Sequence, residues 1–240
     1  MVWIKPSALA LIVVSYAVPG EAASLRVAPT TLELLAPDSA ATLTLRNDGD
    51  QPINVQIRVF RWTQNGGVDR LEPTTDVVAS PPARSLAPNA DYVIRVVRVN
   101  KQPVTAEEAY RVVADELPDP SRRRAGLVNL VLRHSVPVFF RKPDAKQPLV
   151  SWSVRRKGDT LDVTAQNAGQ QRLRIADLRL KDSGQDVALR EGLVGYVLGN
   201  ATVQWSFPAR GASLSGRTVT LSAKTDGGQI DATAAVQSGQ

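Results

Sequence analysis

Hydrophobic and polar side chains alternate along much of the chain with a period of two, the pattern of β-strands with one buried face. In segment 54–62 the alternation is strict, with Val55 and Ile57 on one face and Gln56 and Arg58 on the other. Glycine, proline and asparagine separate such segments, as in turns. We predict strands at residues 25–27, 42–45, 53–62, 92–99, 109–114 and 127–140, and then at residues 150–154, 160–165, 173–180, 204–207, 217–221 and 230–234.

The predicted strands fall into two series. Each series has the spacing of short strands that is typical of a β-sandwich, and the polar segment 144–148, which contains a proline, lies between them. The length of 240 residues is sufficient for two domains. We therefore predict an all-β protein with one sandwich domain at residues 23–143 and a second at residues 144–240.

Segment 127–141 differs from the other predicted strands. Its even-numbered face carries Val128, Leu130 and Leu132, and Pro137 cannot donate to a β-ladder, so part of this strand should lie at a sheet edge. An apolar edge strand is prone to aggregation unless something pairs with it, and partner proteins can add a strand to such an edge. The same pattern also fits an inner strand of an ordinary sandwich core.

Residues 1–22 have the composition of a secretory signal peptide. Lys5 precedes an apolar segment at residues 8–18 that is too short to span a bilayer. Small residues near Ala22 predict cleavage after residue 22, 23 or 24. The chain has no cysteine, so we expect the exported protein to be stabilised by its packed core rather than by disulfides.

Motifs for catalysis are nearly absent from the sequence. His134 is the only histidine and there is no cysteine, which excludes a multi-histidine zinc site and a cysteine nucleophile. The carboxylates of segment 115–119 lie among prolines and indicate a solvated turn rather than a glycosidase pair. The net charge of +6 is spread along the chain without a nucleic-acid-binding motif. We predict a protein that is not an enzyme, has no cofactor or metal, and binds neither nucleic acid nor a small-molecule substrate.

Several motifs in a fixed order resemble those of the periplasmic chaperones that assemble pili by the chaperone-usher pathway, the PapD-like family. The Phe60-Arg-Trp62 and Ser135-Val-Pro-Val138 elements most resemble its archaic branch. The motifs that carry the resemblance are Arg26-Val-Ala-Pro-Thr-Thr-Leu-Glu-Leu34, Arg58-Val-Phe-Arg-Trp-Thr-Gln64, Ala79-Ser-Pro-Pro82, Leu86-Ala-Pro88, Tyr92-Val-Ile-Arg-Val-Val97, Glu107-Glu-Ala-Tyr-Arg111, Val136-Pro-Val-Phe-Phe-Arg141, Gly195-Tyr-Val-Leu198 with Trp205 and Pro208, and Thr225-Asp-Gly-Gly228.

The resemblance implies two immunoglobulin-like domains in a boomerang arrangement, and a function in the periplasm. It implies that Val128, Leu130 and Leu132 are donor residues, lent as an edge strand to incomplete pilus or fimbrial subunits before their delivery to an outer-membrane usher. The same edge could also pair two copies of the chain. A secreted two-domain adhesion or binding module is the alternative from a different functional class.

The resemblance also implies an interdomain ion network, with Glu107, Arg141 and Asp226 at the matching positions. If these charges are exposed, they contribute little to stability, so their expected role is to fix the angle between the domains.

One expected feature of the family is missing from the sequence. Many members hold the carboxyl terminus of the subunit with an arginine in the first strand and a lysine in the donor strand, but Thr31 and Pro137 occupy the matching positions. The candidates for a displaced carboxylate anchor are Arg95 and Arg98, which an odd separation should place on opposite faces of their strand. Arg26 is the next candidate.

Overall fold

A computed structural model describes residues 25–118, 131–212 and 214–237. These residues form β-strands and turns, with no helix among them, which confirms the all-β prediction. The strands are β1 (Leu25–Ala28), β2 (Leu32–Leu35), β3 (Ala40–Asn47), β4 (Ile53–Asn65), β5 (Val68–Pro73), β6 (Val77–Ser80), β7 (Ala83–Leu86), β8 (Asp91–Arg98), β9 (Glu108–Leu117), β10 (Arg133–Arg141), β11 (Val150–Lys157), β12 (Thr160–Asn167), β13 (Leu173–Asp182), β14 (Gln185–Val197), β15 (Thr202–Pro208), β16 (Thr218–Thr225) and β17 (Gly228–Gln237).

Strands β1 to β10 form two sheets that pack face to face. The first has the order β1-β3-β8-β6, and the second has the order β2-β10-β9-β4-β5, with β7 also paired to β4. Alternate residues of both sheets meet in one apolar core, which includes Leu43, Leu45, Ile94, Val112 and Phe140. The period-two alternation predicted in segment 54–62 therefore corresponds to the buried and exposed faces of β4.

The start of the described chain crosses from one sheet to the other. Strand β1 pairs with β3 in the first sheet, whereas β2 pairs with β10 in the second. Pro29 lies between them and has no N–H to continue a ladder. Because the chain joins the second sheet only at Leu32, the parallel pairing of β2 with β10 covers only residues 138–141 of β10.

Strands β11 to β17 form one continuous sheet in the order β14-β13-β16-β17-β11-β12-β15. The parallel pairing of β11 with β17 joins what would otherwise be two sheets. The sheet folds over a second apolar core, which includes Val154, Leu161, Ile175, Leu178 and Leu221, and β14 at one end contacts β15 at the other.

An asparagine ends one strand in each half with a similar set of hydrogen bonds. The Asn47 side chain donates to the carbonyl oxygens of Gln51, Leu86 and Ala87 and accepts from the Gly49 amide. In the second half, the Asn167 side chain donates to the carbonyl oxygens of Gln171, Val197 and Leu198 and accepts from the amides of Leu149 and Gly169. Each asparagine thus satisfies buried main-chain groups where three segments meet.

A third apolar cluster joins the two halves. It consists of Trp62, Ala109 and Phe139 from the second sheet of the first half and Tyr196 and Leu198 from β14 and the following turn. Trp62 meets Tyr196 edge to face, with 5.4 Å between the ring centroids. The two halves therefore share a packed interface rather than only a connecting segment.

Candidate functional site

Half of β10 has one edge without a neighbouring strand. On its other edge β10 pairs with β9 from Arg133 to Phe140, but its pairing with β2 begins only at Val138. Residues 133–137 therefore have no strand on their second side within the part of the chain that the structure describes. This confirms the prediction, drawn from Pro137, that part of the strand lies at a sheet edge.

The predicted donor residues adjoin this open edge along the chain. Val128 and Leu130 lie outside the described residues. Leu132 is half-buried and packs against the core of the first half. Its carbonyl oxygen accepts from the Glu116 amide of β9 at 2.9 Å, and its amide donates to the Glu116 side-chain carboxylate at 3.3 Å. The even-numbered side of the strand thus faces the core from Leu132 to Phe140, as its alternation predicts.

A seam runs between β1, an edge strand of the first sheet, and the open part of β10 at residues 133–137 in the second sheet. His134 spans it, with its Nε2 atom 2.9 Å from the carbonyl oxygen of Leu25. Leu25 and Val136 are both buried in the core beside the seam. His134 therefore acts as a structural link between the sheets.

Arg111 is a cation that the sequence analysis did not single out. It lies on β9 opposite Pro137 of β10, on the outer face of the sheet at the junction of the two halves. Its guanidinium stacks on Trp62 at 3.7 Å and lies 5.7 Å from the Tyr196 ring centroid. Burial lowers the pKa of Arg111, yet an arginine stays charged at neutral pH.

No described carboxylate forms an ion pair with Arg111. Asp69 acts on it only at longer range and is hydrogen-bonded to Gln64 at 2.8 Å. A half-buried guanidinium held against aromatic rings, without a carboxylate partner, can bind an incoming carboxylate.

The structure places the two candidate anchors, Arg95 and Arg98, on opposite faces of β8, as their separation predicts. Arg98 is bound within the fold: its Nε and Nη2 atoms donate to Glu108 at 2.8 Å, and Nη1 and Nη2 donate to the carbonyl oxygens of Asn100 and Gln102. Its side chain is only 8% exposed. Arg95 is exposed on the outer face of the first sheet, opposite to the face that packs in the core.

Arg98 and Glu108 form a buried, hydrogen-bonded ion pair. Burial alone would raise the pKa of Glu108, but hydrogen bonds from Arg98 and Tyr110 outweigh it, so the pKa lies below its ordinary value. Tyr110 donates to the same carboxylate at 3.0 Å, and burial is the main cause of its raised pKa. Arg98 is therefore committed to holding β8, β9 and the segment that follows β8.

The three residues of the predicted ion network do not pair with one another in the described structure. Instead, each contacts one segment at the start of β13. Glu107 binds Arg172 through Nη1 at 2.6 Å and through its backbone amide at 2.9 Å, Arg141 donates weakly to the Gln171 amide oxygen at 3.4 Å, and Asp226 lies 3.8 Å from Arg174.

Arg172 is the centre of the charged contacts between the two halves. It also forms an ion pair with Glu33 of β2, and its guanidinium stacks on the Phe139 ring at 3.7 Å. Burial is the main cause of a raised pKa at Glu107, partly offset by the charge and hydrogen bonds of Arg172. No sequence pattern marks Arg172, because its partners are 65 and 139 residues away.

Gln64 provides a second polar link between the halves. Its side-chain amide donates to the Tyr196 carbonyl oxygen at 2.7 Å, and its oxygen accepts from the Leu198 amide at 2.9 Å. At the tip of the β4–β5 hairpin, the Gln204 amide donates to the Gly67 carbonyl at 2.9 Å. The Gln64 side chain and the β4–β5 hairpin of the first half thus form hydrogen bonds with main-chain groups of the second half.

The described residues contain no cluster of histidine, cysteine and acidic side chains that could hold a metal ion. None of their secondary structure is a helix with the length and apolarity needed to cross a membrane.

Sequence comparison identifies a family over the first half of the chain. Residues 24–146 match the family model for the pili and flagellar-assembly chaperone, PapD N-terminal domain. No curated protein is similar to the chain in sequence.

Solved chaperone structures resemble nearly the whole chain. A chain of the CsuC–CsuE chaperone–tip adhesion subunit pre-assembly complex, from archaic Csu pili of Acinetobacter baumannii, is 24% identical with a TM-score of 0.69, covering 91% of this chain and 100% of that chain. The E. coli chaperone DraB is 23% identical with a TM-score of 0.58, covering 89% and 97%. A chain of the Salmonella enterica SafA pilin–SafB chaperone complex is 20% identical with a TM-score of 0.60, covering 90% and 98%. These similarities confirm the predicted fold of two β-sandwich domains.

Proposed function

We propose a mechanism from the premise that the chain belongs to the PapD family of pili and flagellar-assembly chaperones: it binds pilus subunits in the periplasm by lending them an edge strand and then delivers them to an outer-membrane usher. Export depends on the signal peptide proposed at residues 1–22, which lie outside the described residues. The chain acts by binding alone and catalyses no covalent reaction.

The open edge of β10 is the observation that carries this proposal. Residues 133–137 offer main-chain groups on a side where neither β2 nor any other described strand pairs. Added strands obtain affinity from such main-chain hydrogen bonds and specificity from alternate side chains. No feature of the described residues favours the adhesion module in the same way.

The donor residues extend this edge towards the amino terminus. Val128, Leu130 and Leu132 share the even-numbered face, which packs against the core from Leu132 onwards. Burying Val128 and Leu130 in the apolar groove of a subunit would contribute about 3 to 6 kcal/mol, at about 1.5 to 3 kcal/mol each, before the cost of ordering the segment. Leu132 would add less, because it is already half-buried against the core of the first half. That free energy is sufficient to compete with aggregation of the subunit.

Arg111 is the strongest candidate for the carboxylate anchor. Support comes from its position opposite Pro137, its missing carboxylate partner and its aromatic support. A strand that follows the open edge ends near Pro137, which is the β10 residue opposite Arg111, so one strand separates it from β9. Arg98 is unsuited to the role because Glu108 and two carbonyl oxygens occupy its donors, and Arg95 remains an exposed alternative.

A single substitution at Leu130 tests strand donation. The chain should be co-expressed with a pilus subunit from the same gene cluster and purified through a tag on the chaperone. We expect Leu130→Asp to abolish capture of the subunit because a carboxylate would enter an apolar groove without a partner. Val93→Asp is the matched control, since Val93 is 61% exposed on the outer face of β8.

The melting temperature of each purified variant shows whether Leu130 is a donor residue or belongs to the core of the chain itself. A Leu130→Asp protein that melts like the wild type and captures no subunit supports donation. If the variant is unfolded, Leu130 belongs to an ordinary core, and if it still captures the subunit, the donor assignment is wrong.

A further inference from the structure

The outer face of the second sheet carries excess positive charge beside the open edge of β10. Val112 and Ala114 of β9 point into the core, so the odd-numbered residues before, between and after them point outwards. This outward row contains Arg111 and Asp115 on β9, and it is flanked by Arg58 on β4 and Arg133 on β10. Beside the open edge, the guanidinium groups of Arg58 and Arg133 therefore face a single carboxylate, that of Asp115.

Asp115 holds two of these arginines in place. Its Oδ2 atom accepts from Arg58 at 2.7 Å, and its Oδ1 atom accepts from Arg133. Burial alone would raise the pKa of Asp115, but the bonds from Arg133 and Arg58 lower it overall, so the carboxylate is ionised at neutral pH. One carboxylate thus balances only one of the two arginines that it positions.

Arg133 is the arginine that a strand at the open edge would meet first. It is 68% exposed and uses only Nε towards Asp115, while its Nη1 and Nη2 atoms make no hydrogen bond to a described residue. Arg58 lies behind it, stacked on Phe60 at 5.4 Å. The free Nη1 and Nη2 atoms of Arg133 are suited to bind a carboxylate on a strand that pairs with the open edge.

We infer that the strand received by β10 carries an acidic residue at the outward-facing position opposite Arg133, and that Arg133 selects this carboxylate with support from Arg58. An added strand lies about 4.8 Å from β10, and its residues alternate between the seam and this outer face. Directly opposite side chains lie about 5 Å apart, within reach of an arginine. The inference rests on the proposed strand addition and specifies the chemistry of the partner.

Synthetic peptides test this preference directly. Three fluorescent nine-residue peptides, in which valine alternates with aspartate, threonine or lysine, are each titrated with the purified protein. We expect the Val/Asp peptide to bind about two- to fivefold more tightly than the Val/Thr peptide for each acidic position that faces Arg133, with the Val/Lys peptide weakest. The preference should shrink in 0.5 M salt, as expected for exposed charges.

Two variants of equal net charge assign the effect. In Arg133→Gln the Val/Asp preference should fall towards one, because Asp115 keeps Arg58 but the free guanidinium is lost. Arg217→Gln, which removes an exposed charge just before β16, should keep the full preference. Retention of the preference in Arg133→Gln would overturn the assignment of Arg133.

The remaining outcomes separate this inference from the proposed function. Equal binding of all three peptides would overturn the acidic preference while leaving strand addition intact. Binding of none of them by folded protein would contradict strand addition at this edge, and the inference would fall with it.

Discussion

Two adjacent glutamates have opposite roles because side chains alternate along a strand. Glu108 points to Arg98 within the first half, whereas Glu107 points to Arg172 of the second. The sequence analysis identified Glu107 as an interdomain residue but expected Arg141 and Asp226 as the other members of its network. In the structure its partner is Arg172. Chain distance carries no signal of such a contact, and only the fold brings the charges together.

The Glu108–Arg98 pair predicts a dependence of stability on acid. Because the pKa of Glu108 is lowered in the folded state, its contribution is complete above the ordinary glutamate pKa of about 4.3 and is lost as the pH falls through the folded value. Glu108→Gln should cost about 3 kcal/mol at pH 7, since it leaves Arg98 buried without a counter-charge. Urea unfolding between pH 7 and pH 3 measures both quantities. A variant with the same loss of stability on acidification as the wild type would contradict this role.

The proposed role of Arg111 as a carboxylate anchor can be tested by changing the carboxyl terminus of a peptide ligand. The Val/Asp peptide with a free carboxyl terminus should bind more tightly than its amidated form, by about tenfold if a charge-assisted bond forms. Arg111→Gln should remove this difference. Arg95→Gln is the control, because Arg95 lies on the outer face of the other sheet. A difference lost only in Arg95→Gln would return the anchor to that residue.

At the scale of elements, the alternation of hydrophobic and polar residues identified the strands in which every second side chain is buried. It missed β2, β5, β6, β7 and β14, four of which have six residues or fewer. Strand β14 is long, but register shifts in its pairing with β13 interrupt the alternation near Gly192, which has a φ of 70°. A bulge of this kind hides a strand from any period-two pattern.

Pro137 shows the opposite case, in which one residue predicted the position of a strand. A missing N–H limits where a strand can lie, so the edge position of β10 followed from the sequence. The extent of the open edge did not, because it depends on where β1 and β2 change sheets.

The paired asparagine turns give a prediction for each half. Asn47→Ala and Asn167→Ala should each destabilise the protein by about 3 kcal/mol, because each leaves buried carbonyl and amide groups without partners. Asn54→Ala, at an exposed position of β4, should change stability by less than about 0.5 kcal/mol. Calorimetry of the three variants provides the test. Equal melting curves for all three would show that water replaces the asparagine bonds.

At the scale of the whole molecule, several polar contacts and one apolar cluster join the halves. Gln64 binds the main chain around Tyr196, and Arg172 binds Glu107 and Glu33. The family resemblance led to the expectation of an interdomain network, and family membership is confirmed. The charged and polar contacts of Glu107 and Arg141 with the other half, however, go to Arg172 and Gln171, whereas Asp226 pairs with Arg174 inside the second half. The arrangement of the halves therefore depends on residues that no local pattern indicates.

Gln64→Ala should loosen this arrangement with little loss of stability within either half. It removes two hydrogen bonds across the interface, each worth about 1 kcal/mol, and leaves both cores unchanged. Small-angle scattering should show a wider distribution of dimensions than in the wild type. Gln56→Ala, at an exposed position on the same strand, should scatter like the wild type. Identical profiles for both variants would show that the apolar cluster alone sets the geometry.

Strand addition at β10 is the central claim, and amide hydrogen exchange in the chain tests it most directly. Exchange is followed by mass spectrometry in peptides covering β10 and, as an internal reference, β16, with the chain alone and with a captured pilus subunit. New main-chain hydrogen bonds should slow exchange in residues 133–137 and leave β16 unchanged. Capture of the subunit with no added protection in residues 133–137 would contradict the account.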